Sequence, residues 1–291
     1  MTAFVFPGQG AQFEGMGLDL FENNESAKDI FTKADEVLGF ELSKTMFYGT
    51  AAELRQTKIT QPALFVHAIA TLKAKATIHP DAVAGHSLGE FSALVANGAL
   101  SFEDGLRLVF ARAMAMQDAC ETKPGTMAAI LGLDDNIVEK ICNDIDEVVV
   151  AANFNCPGQL VISGSLDGIK KATEQLTEAG AKRAIVLDVS GAFHSPLMEP
   201  ARKKLAEAID STTFNTPTCP VYQNVTGMPE SDPEIIKSNL IAQLTGAVKW
   251  TQTVENMIAN DIKTFIEVGG SGKVLSGLIK KTDRSVETIT L

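Results

Sequence analysis

The chain has 291 residues, of which 45% are hydrophobic and 21% charged, and it carries a formal net charge of -11. That suits a large soluble globular domain, or one domain carrying a second inside it, with enough apolar residues for a dry core and a deep cleft. The acidic balance argues against bulk attraction to nucleic acid or an anionic membrane, and with no membrane-length apolar run and no basic leader the expected compartment is the cytoplasm.

Ala3-Phe4-Val5-Phe6 reads as a short buried strand. Pro7-Gly8-Gln9-Gly10 ends it in a tight turn, where glycines let backbone N–H groups approach a partner closely. Residues 18–48 carry Leu20, Phe21, Ile30, Phe31, Ala34 and Leu38 at helical spacing. Gln61-Pro62 opens a further helix, Ala63 to Lys75, with proline in its first turn. His67 lies among apolar neighbours there, the setting of a core histidine. Ala82-Val83-Ala84 ends a second buried strand, and Phe91 to Ala96 reads as the first turns of a helix. Between them stands Gly85-His86-Ser87-Leu88-Gly89-Glu90, a Gly-x-Ser-x-Gly pattern between strand and helix. Such a nucleophile elbow turns so sharply that its flanking residues must be small, and the serine hydroxyl stands clear near the positive end of a helix.

Ser101 reads as the N-cap of a helix with an acidic first turn, running to about Cys120. Its segment Val109 to Met116 is apolar except for Arg112. A buried guanidinium needs a partner, either a protein carboxylate or a ligand anion. Residues 123–190 change rhythm: strand Thr126–Leu133, helix Asp135–Ile145, strands Val148–Asn153 and Gln159–Ser163, helix Leu166–Ala179, strand Ala184–Val189. This β-α-β-β-α-β order is ferredoxin-like and marks an inserted subdomain. Asn153 and Asn155 sit at a strand end, where their amides face either a ligand or a turn. Cys120, Cys142, Cys156 and Cys219 are scattered without a C-x-x-C pair, which points to free thiols rather than a zinc site.

The chain then returns to the main domain through Ser190-Gly191-Ala192-Phe193-His194-Ser195-Pro196, so His194 is expected to face a cleft between two domains. Helix Met198–Ala208, strand Val221–Asn224, helical residues 233–259 interrupted near Thr245-Gly246, and strand Phe265–Val268 follow. Gly269-Gly270-Ser271-Gly272 lacks the lysine spacing of a phosphate loop.

A serine nucleophile needs a base, an oxyanion hole and an orienter for the base. Of the four histidines, His86 adjoins the nucleophile at a sharp turn, His79 precedes a proline in a polar loop and His67 is a core residue. His194 is therefore the base. Spacing identifies no carboxylate to orient it.

Phe6-Pro7-Gly8-Gln9-Gly10, Gly85 to Glu90, Arg112, Gly191-Ala192-Phe193-His194-Ser195 and Gln243 together resemble the signature of malonyl-CoA:acyl carrier protein transacylases, in the family's order across nearly the whole chain. The resemblance implies an α/β hydrolase-like core (1–122 and 191–291) with a largely parallel sheet and a ferredoxin-like insert (123–190). It implies a Ser87–His194 dyad oriented by the Gln243 main-chain carbonyl, and an oxyanion hole from the backbone N–H groups of Gln9 and Leu88. It further implies that Arg112 holds the malonyl carboxylate and that Phe193 favours malonyl over α-methylmalonyl. Ala11 departs from the serine of many members. The substrates implied are malonyl-CoA and phosphopantetheinylated acyl carrier protein, a transient partner, supplying fatty acid synthesis by a monomer with no bound cofactor or metal. The carrier is expected to be acidic, so docking needs a local basic patch such as Lys182 and Arg183 or the C-terminal lysines. The start methionine and ends are those expected of a discrete enzyme.

Two other readings share some of these features. An ordinary α/β-hydrolase, an esterase or thioesterase, places its histidine near the C-terminus, whereas nearly a hundred residues follow His194 here. A non-catalytic carrier-docking domain has no need to keep Ser87, His194 and Arg112 together.

Overall fold

Apolar side chains alternate along the strands, and that alternation sets the layers of the protein. The computed structural model describes residues 1–291. Strands β1 (Thr2–Phe6) and β2 (Ala82–Gly85) come first, followed by β3 (Gly125–Leu131), β4 (Val149–Cys156), β5 (Gln159–Ser165) and β6 (Arg183–Val186). β7 (Val221–Tyr222), β8 (Pro229–Glu230), β9 (Thr264–Glu267) and β10 (Glu287–Thr290) complete the set. The larger sheet has the order β10-β9-β1-β2-β7-β8 and is parallel except at β7–β8.

Helices α1 (Leu18–Asn23), α2 (Glu25–Leu38), α3 (Leu42–Tyr48), α4 (Ala51–Leu54) and α5 (Thr57–Lys75) precede β2. α6 (Gly89–Ala96) and α7 (Phe102–Thr122) follow it, and α8 (Asp135–Asn143) and α9 (Leu166–Glu178) lie among β3–β6. α10 (Glu199–Asp210), α11 (Pro233–Ala242), α12 (Trp250–Ala259) and α13 (Val274–Thr282) come last.

Phe4 stands beside Val83 in β2 and Ile266 in β9, and all three join the largest core. Phe31 of α2, Phe65 of α5, Leu108 of α7 and Leu205 of α10 belong to the same cluster. Full burial of a side chain such as Phe4 contributes about 1.5–3 kcal/mol. Ala3, Val5, Ala84 and Phe265 point the other way, into a second core with Trp250 and Val254 of α12 and Leu275 of α13. The result is a three-layer α/β arrangement.

The second sheet, β4-β5-β3-β6, is wholly antiparallel. With α8 and α9 it runs in β-α-β-β-α-β order along the chain. Ala128, Ile130, Leu160 and Ile162 pack on Val138 of α8 and Leu176 of α9 in a core of their own. Met127 and Val161, on the opposite face, join the main core instead. A backbone pair ties the sheets' units together: Phe154 N–H donates to Val248 O at 2.9 Å, and Val248 N–H to Ala152 O at 2.8 Å. The cleft thus has a wall braced against the main sheet.

Several elements differ from the sequence reading. Residues 18–48 form three helices, broken where the Asn24 side chain caps α2 and where Gly39 takes φ 73°. α5 starts at Thr57, so Pro62 is interior, and the apolar run after it, Ala63 to Ala70, is buried. α13 and the exposed edge strand β10 follow the last strand anticipated; β10 has no apolar run to announce it. No helix is long and apolar enough to cross a membrane.

Candidate active site

Ser87 sits between the end of β2 and the start of α6, with φ 53°, in the left-handed region. Only small residues permit this turn. A Cβ on Gly85 would lie 1.8 Å from the Gly89 carbonyl carbon, and one on Gly89 would lie 2.0 Å from the Phe6 carbonyl oxygen. The turn continues β1 as well: His86 N–H donates to Phe6 O at 3.0 Å, and a Cβ on Gly8 would come 2.5 Å from His86 O. The Pro7–Gly10 turn and the elbow are therefore pressed together by neighbouring strands.

His194 arrives from the opposite side, on the loop that follows β6. It also has a positive φ, 58°. Its Nε2 stands 2.7 Å from Ser87 Oγ. Its Nδ1 faces two main-chain carbonyls, Gln243 O at 2.9 Å and Gly246 O at 3.2 Å. Carbonyls only accept, so Nδ1 carries the proton, Nε2 is the free base, and the Ser87 hydroxyl donates to it. Both carbonyls lie just past the C-terminal end of α11, where helix dipole and unpaired carbonyls favour a positive charge. No carboxylate faces Nδ1. Burial, then the Arg112 cation, push the His194 pKa down to about 3, so the ring is neutral at neutral pH.

Arg112 projects from α7 and is 1% exposed. Its partners are neutral oxygens: Gln61 Oε1 at 2.7 Å, Ser87 Oγ at 2.9 Å and Gln243 Oε1 at 3.1 Å. The protein carboxylate weighed as a direct partner is absent from this set. Glu90, buried at the start of α6, lies one residue beyond, across the Gln243 side chain. Burial lowers the Arg112 pKa to about 10, with Glu90 opposing, which leaves the guanidinium charged at neutral pH. Burial pushes the Glu90 carboxyl up, against the Asn224 N–H, the Gln243 amide and Arg112.

A cleft of about 250 Å³ joins these groups, walled by Gln9, Leu88, Met127, Asn153, Val161 and Phe193 among others. The backbone N–H groups of Gln9 and Leu88 have no protein acceptor. Asn155 does not face the cleft freely: its Oδ1 pairs with His86 Nε2 at 2.9 Å, holding that ring off the nucleophile. His67 lies apart, with Nδ1 accepting from Gly270 N–H at 3.0 Å. Burial lowers its pKa to about 4. In the final glycine cluster Gly270 thus meets a core histidine and Gly269 packs on Ala68. All four cysteines are free thiols.

Asn224, Gln61 and the Gly246 carbonyl were not anticipated at the site, and Glu90 was read only as the end of the elbow motif. Asn224 accepts from Ser87 N–H at 2.7 Å and donates to Gly85 O at 2.7 Å, bracing both sides of the elbow. The only local signal was its place at the end of a short strand, since β7 neighbours β2 in the sheet.

Residues 3–290 match the family model described as acyl transferase domain. The malonyl CoA-acyl carrier protein transacylase of Bacillus subtilis (strain 168) is 47% identical over 294 residues, covering 99% of this chain and 92% of the relative. The solved acyl-carrier-protein-S-malonyltransferase of Bartonella henselae superposes with a TM-score of 0.96 at 41% identity, covering 99% of this chain and 94% of that one. A malonyl-transacylase solved in complex with a type II PKS acyl-carrier protein superposes at 0.94 and 38% identity, covering 100% and 95%.

Proposed function

The chain belongs to the acyl transferase domain family, and on that premise we propose that it moves a malonyl group from malonyl-CoA to the phosphopantetheine thiol of acyl carrier protein, through a malonyl ester on Ser87. The observation that carries this reading is a single oxygen with three functions around it. Ser87 Oγ meets the free nitrogen of His194, a guanidinium on Arg112, and a cleft lined by Gln9 and Leu88, whose N–H groups have no backbone acceptor.

His194 Nε2 takes the hydroxyl proton as Oγ attacks the thioester carbonyl. The N–H groups of Gln9 and Leu88 hold the tetrahedral oxyanion, a contribution of about 3–4 kcal/mol per donor in comparable sites. Collapse breaks the C–S bond, and the departing CoA sulfur takes the proton from Nε2. The carrier thiol then gives its proton to Nε2, attacks the ester and displaces Ser87, which recovers the proton. Two thioesters of similar energy are exchanged, so the reaction runs in both directions. Arg112 holds the terminal malonyl carboxylate with its planar fork, and the Phe193 ring crowds an α-methyl branch.

On this reading the enzyme is a cytoplasmic monomer with no bound cofactor, its ferredoxin-like unit (123–190) acting as the cleft's outer wall. Lys281 contacts Gln159 on that wall at 3.1 Å and is one cation available to an acidic carrier, alongside Lys182 and Arg183.

Intact mass after mixing with malonyl-CoA tests the mechanism. One malonyl adduct is expected, discharged by carrier protein and absent in Ser87→Ala. An adduct that persists in the alanine variant, or malonate released as fast as CoA, would reject it. Arg112→Ala should lower transfer from malonyl-CoA by roughly 30- to several-thousand-fold, as desolvated charge pairs do when one partner is lost. Acetyl-CoA transfer should hold or rise. Equal specificity constants for malonyl- and methylmalonyl-CoA would remove the role given to Phe193.

A further inference from the structure

The elbow motif ends in a carboxylate that the proton relay does not touch. Glu90 is buried beneath the turn, and its two oxygens meet two N–H donors. The Asn224 backbone N–H reaches Oε1 at 3.0 Å, and the Gln243 side-chain Nε2 donates to Oε2. Gln243 Nε2 also donates to Ser87 O at 2.9 Å, while its Oε1 accepts from Arg112 Nη2 at 3.1 Å. Asn224 in turn braces Gly85 and Ser87.

We propose that Glu90 is a positioning residue for the transfer: by accepting from Gln243 Nε2 it turns that amide so that its oxygen faces Arg112, and so aims the guanidinium at the acyl group's terminal carboxylate. The inference rests on the reading of Arg112 as the carboxylate clamp. Donor and acceptor inventory supplies the reason. Burial raises the Glu90 pKa, but both of its oxygens face N–H donors and neither faces an acceptor, so the geometry holds it as an acceptor-only carboxylate. An amide has one accepting and one donating end, and a guanidinium only donates. With Nε2 committed to Glu90 and Ser87 O, only Oε1 is left for Arg112. Glutamine at position 90 has the same shape but the wrong inventory. Its oxygen would answer the Asn224 N–H, and its NH2 would confront Gln243 Nε2. The Gln243 amide would have to turn over, presenting N–H groups to Arg112 and an oxygen to the Ser87 carbonyl.

The same geometry explains why Glu90 stands one residue away from Arg112. A buried cation needs a counter-charge nearby. A carboxylate in direct contact would compete with the substrate's own carboxylate for the guanidinium, whereas one acting through an amide leaves only neutral oxygens on it.

Steady-state kinetics of Glu90→Gln with malonyl-CoA and acetyl-CoA test the proposal. The malonyl-CoA KM should rise by about tenfold or more, while the acetyl-CoA constants change by less than about threefold, because only the malonyl group uses the clamp. Gln243→Leu removes the amide and keeps the main-chain carbonyl on His194. It should reproduce the split, and adding Glu90→Gln to it should change the split no further, as for residues acting through one contact. This second variant decides the matter if Glu90→Gln does not fold. Arg112→Ala separates the two failures. Equal losses with both thioesters there would sink the clamp reading and this proposal with it. A selective loss there overturns only the role of Glu90 if Glu90→Gln affects both thioesters alike or neither, if Gln243→Leu shows no split, or if the two effects simply add.

Discussion

The elbow and the return loop hold opposite ends of one hydrogen bond, and each does so with a non-glycine residue in left-handed backbone, Ser87 at φ 53° and His194 at φ 58°. Such a conformation costs of order 1–3 kcal/mol and needs surroundings that over-determine it. The surroundings differ. At the elbow the constraint is backbone against backbone: Gly85 against Gly89 within the turn, and Gly89 against the Phe6 carbonyl at the end of the neighbouring strand. The return loop is held from outside. Gly191 packs on the Cys120 side chain of α7, where a Cβ would come 2.1 Å from Sγ. Ser195 Oγ donates to Ala192 O at 2.6 Å, and the His194 ring is pinned by carbonyls at positions 243 and 246. Strain at Ser87 is held by backbone packed on backbone, within the turn and from the neighbouring strand; strain at His194 is held by a distant side chain and two distant carbonyls.

The largest effect separates the proposed base from a histidine that packs in the core. His194→Ala should slow malonylation of Ser87 by about 10²–10⁴-fold, the range of a general base, while His67→Gln leaves the rate near that of the parent. Stopped-flow or quenched mass measurements read both. Matching rates in the two variants would end the case for His194.

A pair of glycine substitutions breaks the comparison itself. Gly89→Ala drives a Cβ against a backbone carbonyl that has nowhere to go. It should cost about 3 kcal/mol, at the upper end for overpacking, and no side-chain change should restore it. Gly191→Ala meets a sulfur instead. Its cost should be about 1–2 kcal/mol, and Cys120→Ala in the same chain should recover most of it. Denaturant melts and the acylation rate report both. Failure of Cys120→Ala to rescue would show that the return loop, too, is constrained by its own backbone.

The smallest effect concerns pH. His67 has its pKa lowered to about 4 in the fold by burial, from an ordinary 6.5. The unfolded chain therefore takes the proton first. The contribution of this residue is full above pH 6.5 and is lost as pH falls towards 4. Between pH 7 and 5.5 the loss should be about 1 kcal/mol. His67→Gln should flatten that part of the stability profile relative to the parent. An unchanged acid slope would mean other groups carry it, His194 being the first candidate since its pKa is lowered further.

Much of this was legible in order along the chain. The elbow was readable because its steric demand falls on adjacent residues. The β-α-β-β-α-β run between β2 and β7 was readable because strand and helix periods alternate cleanly there. Arg112 stood out as one permanent charge in an apolar helix, although its partners did not: a carboxylate was the obvious candidate, and neutral oxygens of Gln61, Ser87 and Gln243 surround it instead. The Pro62 helix start was misplaced because buried Thr57 and Thr60 carry no periodic apolar signal.

By itself the sequence determined the α/β layering, the small-residue turn that exposes Ser87, and the candidacy of His194 and Arg112, because each follows from hydrophobic period, local sterics or an isolated charge. Only the tertiary structure decided what surrounds them. Parallel pairing of β2 with β7 carries Asn224 to a serine 137 positions earlier, and the end of α11 delivers two carbonyls to a histidine 49 and 52 positions earlier. Main-chain carbonyls and amide ends have no residue-type signature, so which of them faces a histidine, a guanidinium or a carboxylate is settled only when the strands are in register and the helix ends have docked.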